Sequence, residues 1–348
     1  MKSFTNINVN SFQEAVSAAQ QARNAGQIVA FSGGGTDLLQ QIKDGTNLAD
    51  VIINLRNIDT TQGISANSAA GLTSVQFSSG VNAYTRRDAG LTINGQVTLE
   101  ELSTDAAITA GFPLLAEAAV SVGTPQIRNL ATLAGNVTQR PWCWYYRNGF
   151  NCFKAGGDEC FSVNGENQQH AIFGGGPSFI VHPSDLAPAL VALNASFNIV
   201  GPDGERTLSA DEFFLLPSQD PRRENALADG ELLGSIDLPG MLGTSVGTYY
   251  KVMDREAWTH AEVSVAVVLT MIGENIELAS VVLGGVATIP WKLLEVESFL
   301  AGKPLTEAVA REAGELAIAS AQPLAKNGHK LPMTSAAVER TLLSLAGA

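Results

Sequence analysis

The run Gly33, Gly34 and Gly35 constrains this chain more than any other feature of its sequence. It lies between the apolar stretch Ile28, Val29, Ala30 and Phe31, which reads as a buried strand, and a helical pattern from Thr36 to Lys43 that Gly45 stops. Successive glycines let a backbone approach a diphosphate closely and turn N–H groups toward it, and the helix start adds partial positive charge. Taken alone, such a run fits a tight turn equally well. Spacing excludes two commoner uses of glycine. Gly33 and Gly35 match the first two positions of G-x-G-x-x-G, but Leu38 occupies the third, and no G-x-x-x-x-G-K-[ST] is present. A nicotinamide dehydrogenase or an NTPase is therefore a poor reading.

Around this run, residues 1–60 read as one compact α/β lobe. Ser11 and Glu14 have capping-box spacing before an Ala-rich helix, Gly26 is placed to end it, and residues 51–55 read as a second buried strand. Residues 61–225 read as a larger α/β lobe, with a strand over 91–97 and a helix over 113–122. Its rhythm is broken by an insertion, residues 137–182, rich in aromatics, cysteines and glycines. Residues 217–225 read as a surface loop. From residue 240 to 348 the pattern changes to strands (249–252, 262–271, 276–278 and 280–284) followed by helices. In one of those, Val309, Ala313 and Leu316 share a face, and residues 335–345 form another. A sheet followed by helices implies a separate α+β domain.

The bulk numbers exclude several classes. With 45% apolar and 16% charged residues in 348, the chain can bury ordinary cores. A formal charge of −13 repels phosphate backbones, so no nucleic-acid partner is expected. The longest apolar stretch, residues 263–272, is too short to span a bilayer, so no membrane insertion is expected. The opening residues have neither an apolar h-region nor a twin arginine. A cytoplasmic location is expected, or a periplasmic one only by export with a partner subunit.

A second small-residue loop, Thr132, Leu133, Ala134, Gly135 and Asn136, follows about a hundred residues after the first. Two such loops in separate lobes can clamp one diphosphate between them. Together with its neighbours, the pair resembles a known family. Ser32, Gly33, Gly34, Gly35, Thr36, Asp37, Leu38 and Leu39 resemble the first FAD-diphosphate loop of the flavin subunits of xanthine dehydrogenase and carbon monoxide dehydrogenase. Residues 121–136 resemble their second loop and its lead-in. Residues 183–190 resemble the segment whose aspartate, here Asp185, reaches the flavin side. Residues 231–233 and 249–251, with Leu233 and Lys251, resemble two later flavin-contact segments, and residues 283–291 resemble the signature of the C-terminal domain. The matches run in family order over nearly the whole chain. Ala134 stands where glycine is more usual and Gly33 where alanine is common; both are small.

The resemblance implies an α+β protein: a two-lobe FAD-binding domain of the vanillyl-alcohol-oxidase type followed by an α+β C-terminal domain. It implies non-covalent FAD lying between the lobes, with Asp185 and Lys251 flanking its ribityl chain or ring. It also implies partner chains, a large subunit with the molybdenum cofactor and a small [2Fe–2S] subunit. An aldehyde or N-heterocycle would be oxidised at the molybdenum site, and the electrons would pass through the iron–sulfur centres to this flavin and on to an external acceptor. No catalytic residue is assigned to this chain itself. The alternative is a stand-alone FAD-dependent oxidase or dehydrogenase of the vanillyl-alcohol-oxidase type.

All three cysteines, Cys143, Cys152 and Cys160, fall within 18 residues. An odd count fits a disulfide framework poorly, and clustered thiols in a reducing compartment favour a metal or redox role. Gaps of eight and seven residues are not those of zinc ribbons or ferredoxins. The segment resembles an insertion found in one branch of the family, where four cysteines hold an extra [4Fe–4S] cluster near the flavin. Here the fourth is missing. Ser178 is the preferred stand-in, with His170, Asp158 or water as alternatives, and a decayed site with free thiols is the competing reading. The neighbouring aromatics Trp142, Trp144, Tyr145 and Tyr146 fit a shield for a cofactor, but also a core or a subunit interface. His170, His182, His260 and His329 form no H-x-x-x-H pair.

Overall fold

The computed structural model describes residues 2–67 and 90–346; residues 68–89 of the expected larger lobe lie outside the described residues. Three sheets organise the described residues. The first is parallel, with β1 (Thr5–Asn8), β2 (Val29–Ser32) and β3 (Val51–Asn54) in the order β1-β3-β2. Helices Phe12–Asn24 and Leu38–Asp44 make its crossovers. Ser11 caps the first of these, its Oγ accepting the Glu14 N–H at 3.1 Å. The reciprocal half of the expected capping box goes elsewhere: the Glu14 carboxylate accepts from Asn10 N–H at 2.7 Å.

The second sheet is antiparallel throughout. It is built from β4 (Ile64–Ala66), β5 (Leu91–Asn94), β6 (Ser196–Gly201), β7 (Gly204–Ser209) and β8 (Leu232–Leu238), in the order β4-β5-β8-β6-β7. β8 adds to this sheet a strand from beyond residue 225, where the sequence reading ended the lobe. Helices Leu99–Thr104, Pro113–Val120 and Leu186–Ala192 cover the sheet and fill its core with Leu99, Leu102, Leu114, Leu115 and Leu190. Val200 and Leu232 of this sheet share one apolar cluster with Val9, Ala15, Val16, Ala19 and Ile53 of the first lobe. Burying a side chain of this size contributes roughly 1.5–3 kcal/mol. The two lobes are thereby held with the end of β2 facing the larger lobe.

The third sheet is antiparallel, with β9 (Ser245–Val252), β10 (Val263–Ile272), β11 (Asn275–Gly284) and β12 (Trp291–Lys292) in the order β12-β11-β10-β9. β10 is buried on both faces. Ala266 joins the core of the larger lobe, while Val263, Val265, Val267 and Leu269 face helices Leu294–Leu300, Glu307–Leu316 and Lys330–Ser344. That double burial is why its sequence is a nearly continuous apolar run rather than an alternating one. No helix among the described residues is long and apolar enough to cross a membrane.

Candidate flavin site and the cysteine segment

The first glycine loop leaves the C-terminal end of β2 and runs directly over the lead-in to the second loop. A β-carbon on Gly34 would stand 1.8 Å from the Leu130 carbonyl oxygen, and one on Gly33 would stand 2.6 Å from Thr132 Oγ1. At Gly34 the obstacle is backbone and no side chain fits, whereas at Gly33 the neighbours are the Thr132 and Gln96 side chains, which would have to shift to admit even a methyl group. Gly35 has φ +73°, a left-handed conformation that favours glycine. Ser32, Gly33, Gly34, Gly35 and Thr36 are all partly accessible, whereas Leu38 is buried and Leu39 exposed.

The second loop opens helix Leu133–Val137. Thr132 caps it, with Oγ1 accepting the Gly135 N–H at 3.2 Å. Leu133 and Ala134 turn their side chains into the core, and their N–H groups donate to the carbonyls of Val97 and Gly95 at 2.9 Å each. Gly135 is the exposed member of this loop. Asn136 is buried and accepts from Ser184 Oγ at 2.6 Å, which docks the 183–185 segment onto the loop. Gln96 was not singled out from sequence. It is 6% exposed, its Oε1 has no hydrogen-bond partner, and that atom lies 3.1 Å from where a β-carbon on Gly33 would be. An orphaned buried amide oxygen at the meeting of the two loops fits a site that a polar ligand completes.

Asp185 and Lys251 are brought together. Lys251 Nζ donates to Asp185 Oδ2 at 2.7 Å, and to the carbonyls of Ser121 and Thr259 at 3.1 Å each, so its three protons are all satisfied within the protein. Tyr249 Oη donates to Asp185 Oδ1 at 2.9 Å. Burial first, and the Asp185 charge second, hold the Tyr249 phenol well above its usual pKa, so it stays a donor. Leu233 lies in β8 with 2% exposure, a core residue opposite Ile199. An open depression of about 280 Å³ lies between helix Phe12–Asn24 and the β6–β7 turn, and none of these site residues lines it.

The cysteine segment packs against the first loop through Asp37. That carboxylate accepts from Arg147 at 2.7 Å, from the Arg140 N–H at 3.0 Å and from Gln41 at 2.7 Å. Arg147 is buried, and Arg140 and Lys154 both pair with buried Glu224 at 2.6 Å. Tyr145 and Tyr146 are buried, whereas Trp142 and Trp144 are exposed. The three thiols are free. Burial pushes the Cys143 thiol up to about 11, and the nearby Cys152 and Cys160 thiols push in the same direction. Cys143 Sγ lies 3.4 Å from His170 Nε2, and Cys160 Sγ lies 3.1 Å from Ser162 Oγ. Ser178 is buried beside the cis Gly176–Pro177 peptide, and no described hydrogen bond joins it to a thiol. Among the described residues no three His, Cys, Asp or Glu side chains are gathered around a single metal ion. A cubane cluster spreads its ligands over four irons, so its donors stand further apart than those of one ion.

Comparison with known proteins agrees with this geometry. Residues 74–241 match the family described as the FAD-binding domain in molybdopterin dehydrogenase, and residues 248–340 match the carbon monoxide dehydrogenase flavoprotein C-terminal domain. The chain is 31% identical to the aldehyde oxidoreductase FAD-binding subunit PaoB of Escherichia coli, over 99% of this chain and 98% of that one. It is 26% identical to the carbon monoxide dehydrogenase medium chain of Hydrogenophaga pseudoflava, over 68% of this chain and 67% of the relative. The fold is shared with solved structures. A chain of carbon monoxide dehydrogenase from H. pseudoflava superposes with a TM-score of 0.73 at 22% identity, covering 99% of this chain and 97% of that one. A chain of quinoline 2-oxidoreductase from Pseudomonas putida 86 gives 0.71 at 20%, covering 99% and 98%. With a flavin subunit matched from end to end, both family domains in order and the two glycine loops in contact, the chain belongs to the FAD-binding (medium) subunit family of the molybdenum hydroxylases.

Proposed function

We propose that this chain holds FAD along the strip where residues 32–39 meet residues 132–136, and serves as the electron-transfer subunit of a molybdenum hydroxylase complex. The observation that carries this is the seat of Gly34 on the Leu130 carbonyl, which joins two loops from different lobes into one small-residue surface. On this reading residues 32–36 and Gly135 form the face toward the diphosphate. Leu133, Ala134 and Leu233 back it from the core, and Asp185, Lys251 and Tyr249 form its rigid flank. On the same reading the chain divides into residues 1–60, 61–225 with the insertion 137–182, and 240–348, the flavin lies between the first two, and β8 belongs with the second. FAD, when bound, supplies the capacity to take up and pass on electrons. The protein's part is to bind it, orient it and exclude water.

Oxidation of an aldehyde or N-heterocycle is assigned to a large partner subunit carrying the molybdenum cofactor. Electrons reach this chain through a [2Fe–2S] small subunit. Cys143, Cys152 and Cys160 are assigned to a further [4Fe–4S] cluster beside the first glycine loop; what supports this is that all three thiols fall in one segment, which the Arg147–Asp37 contact joins to that loop. The test is purification of the chain alone and with its partners. The lone chain should carry FAD that is released on denaturation and is reducible by dithionite, yet show no turnover with aldehydes or N-heterocycles, whereas the complex turns over. Steady substrate oxidation by the lone chain would overturn the subunit reading in favour of a self-sufficient oxidase.

A further inference from the structure

We propose that Gln96 is a FAD-binding residue, its side-chain amide donating to the diphosphate from the second loop's side of the crossing. The proposal rests on the FAD reading above and adds a contact that lies in neither glycine loop. The backbone N–H groups of the two loops go to different places. In the first loop, the N–H groups of residues 33–37 donate to no described residue, so they are free to face an anion. In the second, each N–H is already engaged. Leu133 and Ala134 donate to the Val97 and Gly95 carbonyls at 2.9 Å each, Gly135 donates to Thr132 Oγ1 at 3.2 Å, and Asn136 donates to the Thr132 carbonyl at 2.8 Å. The start of helix Leu133–Val137 therefore offers a diphosphate no backbone donor.

On that side the donors must be side chains, and Gln96 carries an amide that nothing matches. It sits in the turn between β5 and helix Leu99–Thr104, where its own N–H donates to Asn94 Oδ1 at 2.8 Å. The carbonyls on either side of it, those of Gly95 and Val97, are the ones that hold the second loop, and the Leu99 N–H donates to the Ala131 carbonyl at 2.9 Å. Turn and loop are thus tied into one piece. Gln96 is 6% exposed, and neither polar atom of its amide has a partner among the described residues; Oε1 is fully enclosed. The amide is aimed at the crossing of the two loops, since a β-carbon on Gly33 would stand 3.1 Å from Oε1 and 2.6 Å from Thr132 Oγ1. The Thr132 hydroxyl accepts from Gly135 and keeps its own proton to donate beside it.

A buried carboxamide without partners costs stability, and a ligand that supplies the partner recovers it. A diphosphate has acceptor oxygens and no proton to give near neutral pH, so what it takes from Gln96 is an Nε2 hydrogen. A half-turn about the last side-chain bond exchanges Oε1 and Nε2, which lets the donor face the ligand without moving the backbone. The free N–H groups of the first loop and the Gln96 amide then hold the diphosphate from opposite sides.

The experiment uses the full chain, stripped of flavin and titrated with FAD. It reads the affinity, the urea midpoint of the stripped protein and the phosphorus NMR resonances of bound FAD. Gln96→Met keeps the length of the side chain and removes both polar atoms. It should weaken FAD binding about tenfold, as loss of one hydrogen bond to a charged group does. It should also shift the phosphorus resonances and leave the stripped protein at least as stable as wild type. Gln96→Glu sets only acceptors and a negative charge against the diphosphate, so it should bind FAD more weakly than Gln96→Met. Wild-type affinity or unchanged phosphorus resonances in Gln96→Met would overturn the contact. So would weaker binding that comes with a destabilised stripped protein, the mark of a packing residue. Tighter binding by Gln96→Glu than by Gln96→Met would mean that the amide accepts from a FAD hydroxyl, and would overturn its role as donor to the diphosphate. A wild-type chain that takes up no FAD would overturn the FAD reading itself, and this proposal with it.

Discussion

At the scale of single residues, the sequence announces local effects and is silent about distant partners. The glycine run declares itself because what glycine permits, close approach at Gly34 and positive φ at Gly35, concerns the backbone of that residue alone. Asp37 was read as part of the same loop, but what it does is decided 110 residues away by Arg147, and no local pattern signals such a pairing. The same holds for Lys251, whose sequence surroundings suit a solvated strand lysine and whose side chain is instead buried on Asp185. The Asp37–Arg147 pair gives a test. Arg147 is 6% exposed at the side chain and Asp37 15%, so removing the carboxylate leaves a buried guanidinium with only the more distant Asp44, at 3.8 Å, to offset part of its charge. Such a break costs about 3–5 kcal/mol, whereas replacing both partners by apolar groups costs much less. Asp37→Ala should therefore lower the urea midpoint sharply and weaken flavin retention, and adding Arg147→Met should recover part of the loss. Equal midpoints for Asp37→Ala and wild type would show that the pair holds nothing.

At the scale of elements, what could be read depended on whether a strand's burial leaves a pattern. β10 and β3 were legible as apolar runs. β11 was read as two pieces, residues 276–278 and 280–284, but pairs with β10 as one strand from Asn275 to Gly284. β6 and β7 went unread, although Gly201, Pro202, Asp203 and Gly204 between them carry the residues of a hairpin turn. β8 was hidden because Gly234, Ser235 and Asp237 dilute its apolar alternation, and cross-strand packing outweighs propensity there. The contact between the two glycine loops follows from these elements, since β2 carries one loop and the β5 side of the larger sheet carries the other. Gly34→Ala tests it with a single methyl group. The added carbon has no room beside the Leu130 backbone, so the loops must part. The expected result is FAD loss on gel filtration, with a stability loss of about 1–3 kcal/mol from overpacking. Gly26→Ala, at a helix end with open space around it, should keep its flavin despite backbone strain. Full flavin content in Gly34→Ala would separate the loop contact from flavin binding.

At the scale of the whole molecule, family order was the legible quantity, because motifs spread over the chain outweigh each motif alone. How the regions lock together was not, since that depends on groups buried where they meet. His182 is one. It is 4% exposed, edge-on to Phe214, with Nε2 unpartnered, and burial pushes its pKa from 6.5 to about 3, with the Lys154 charge acting in the same direction. The folded protein therefore keeps His182 neutral where the unfolded chain takes up a proton. Its contribution to stability is full above the unfolded pKa and is lost as the pH falls from about 6.5 toward 3, at up to about 1.4 kcal/mol per pH unit. His182→Gln removes the titration and keeps a polar side chain. Its stability at pH 7.5 should lie below that of wild type, because the hydrogen bond from the Ser184 N–H and the packing on Phe214 are disturbed. Between about pH 6 and 4.5 the two curves should converge by roughly 1 kcal/mol per pH unit, since only the wild type carries this penalty. Urea titrations at several pH values over that range measure the convergence. Parallel curves would mean that His182 takes up its proton in the folded protein, and that the acid sensitivity of the junction lies in other groups.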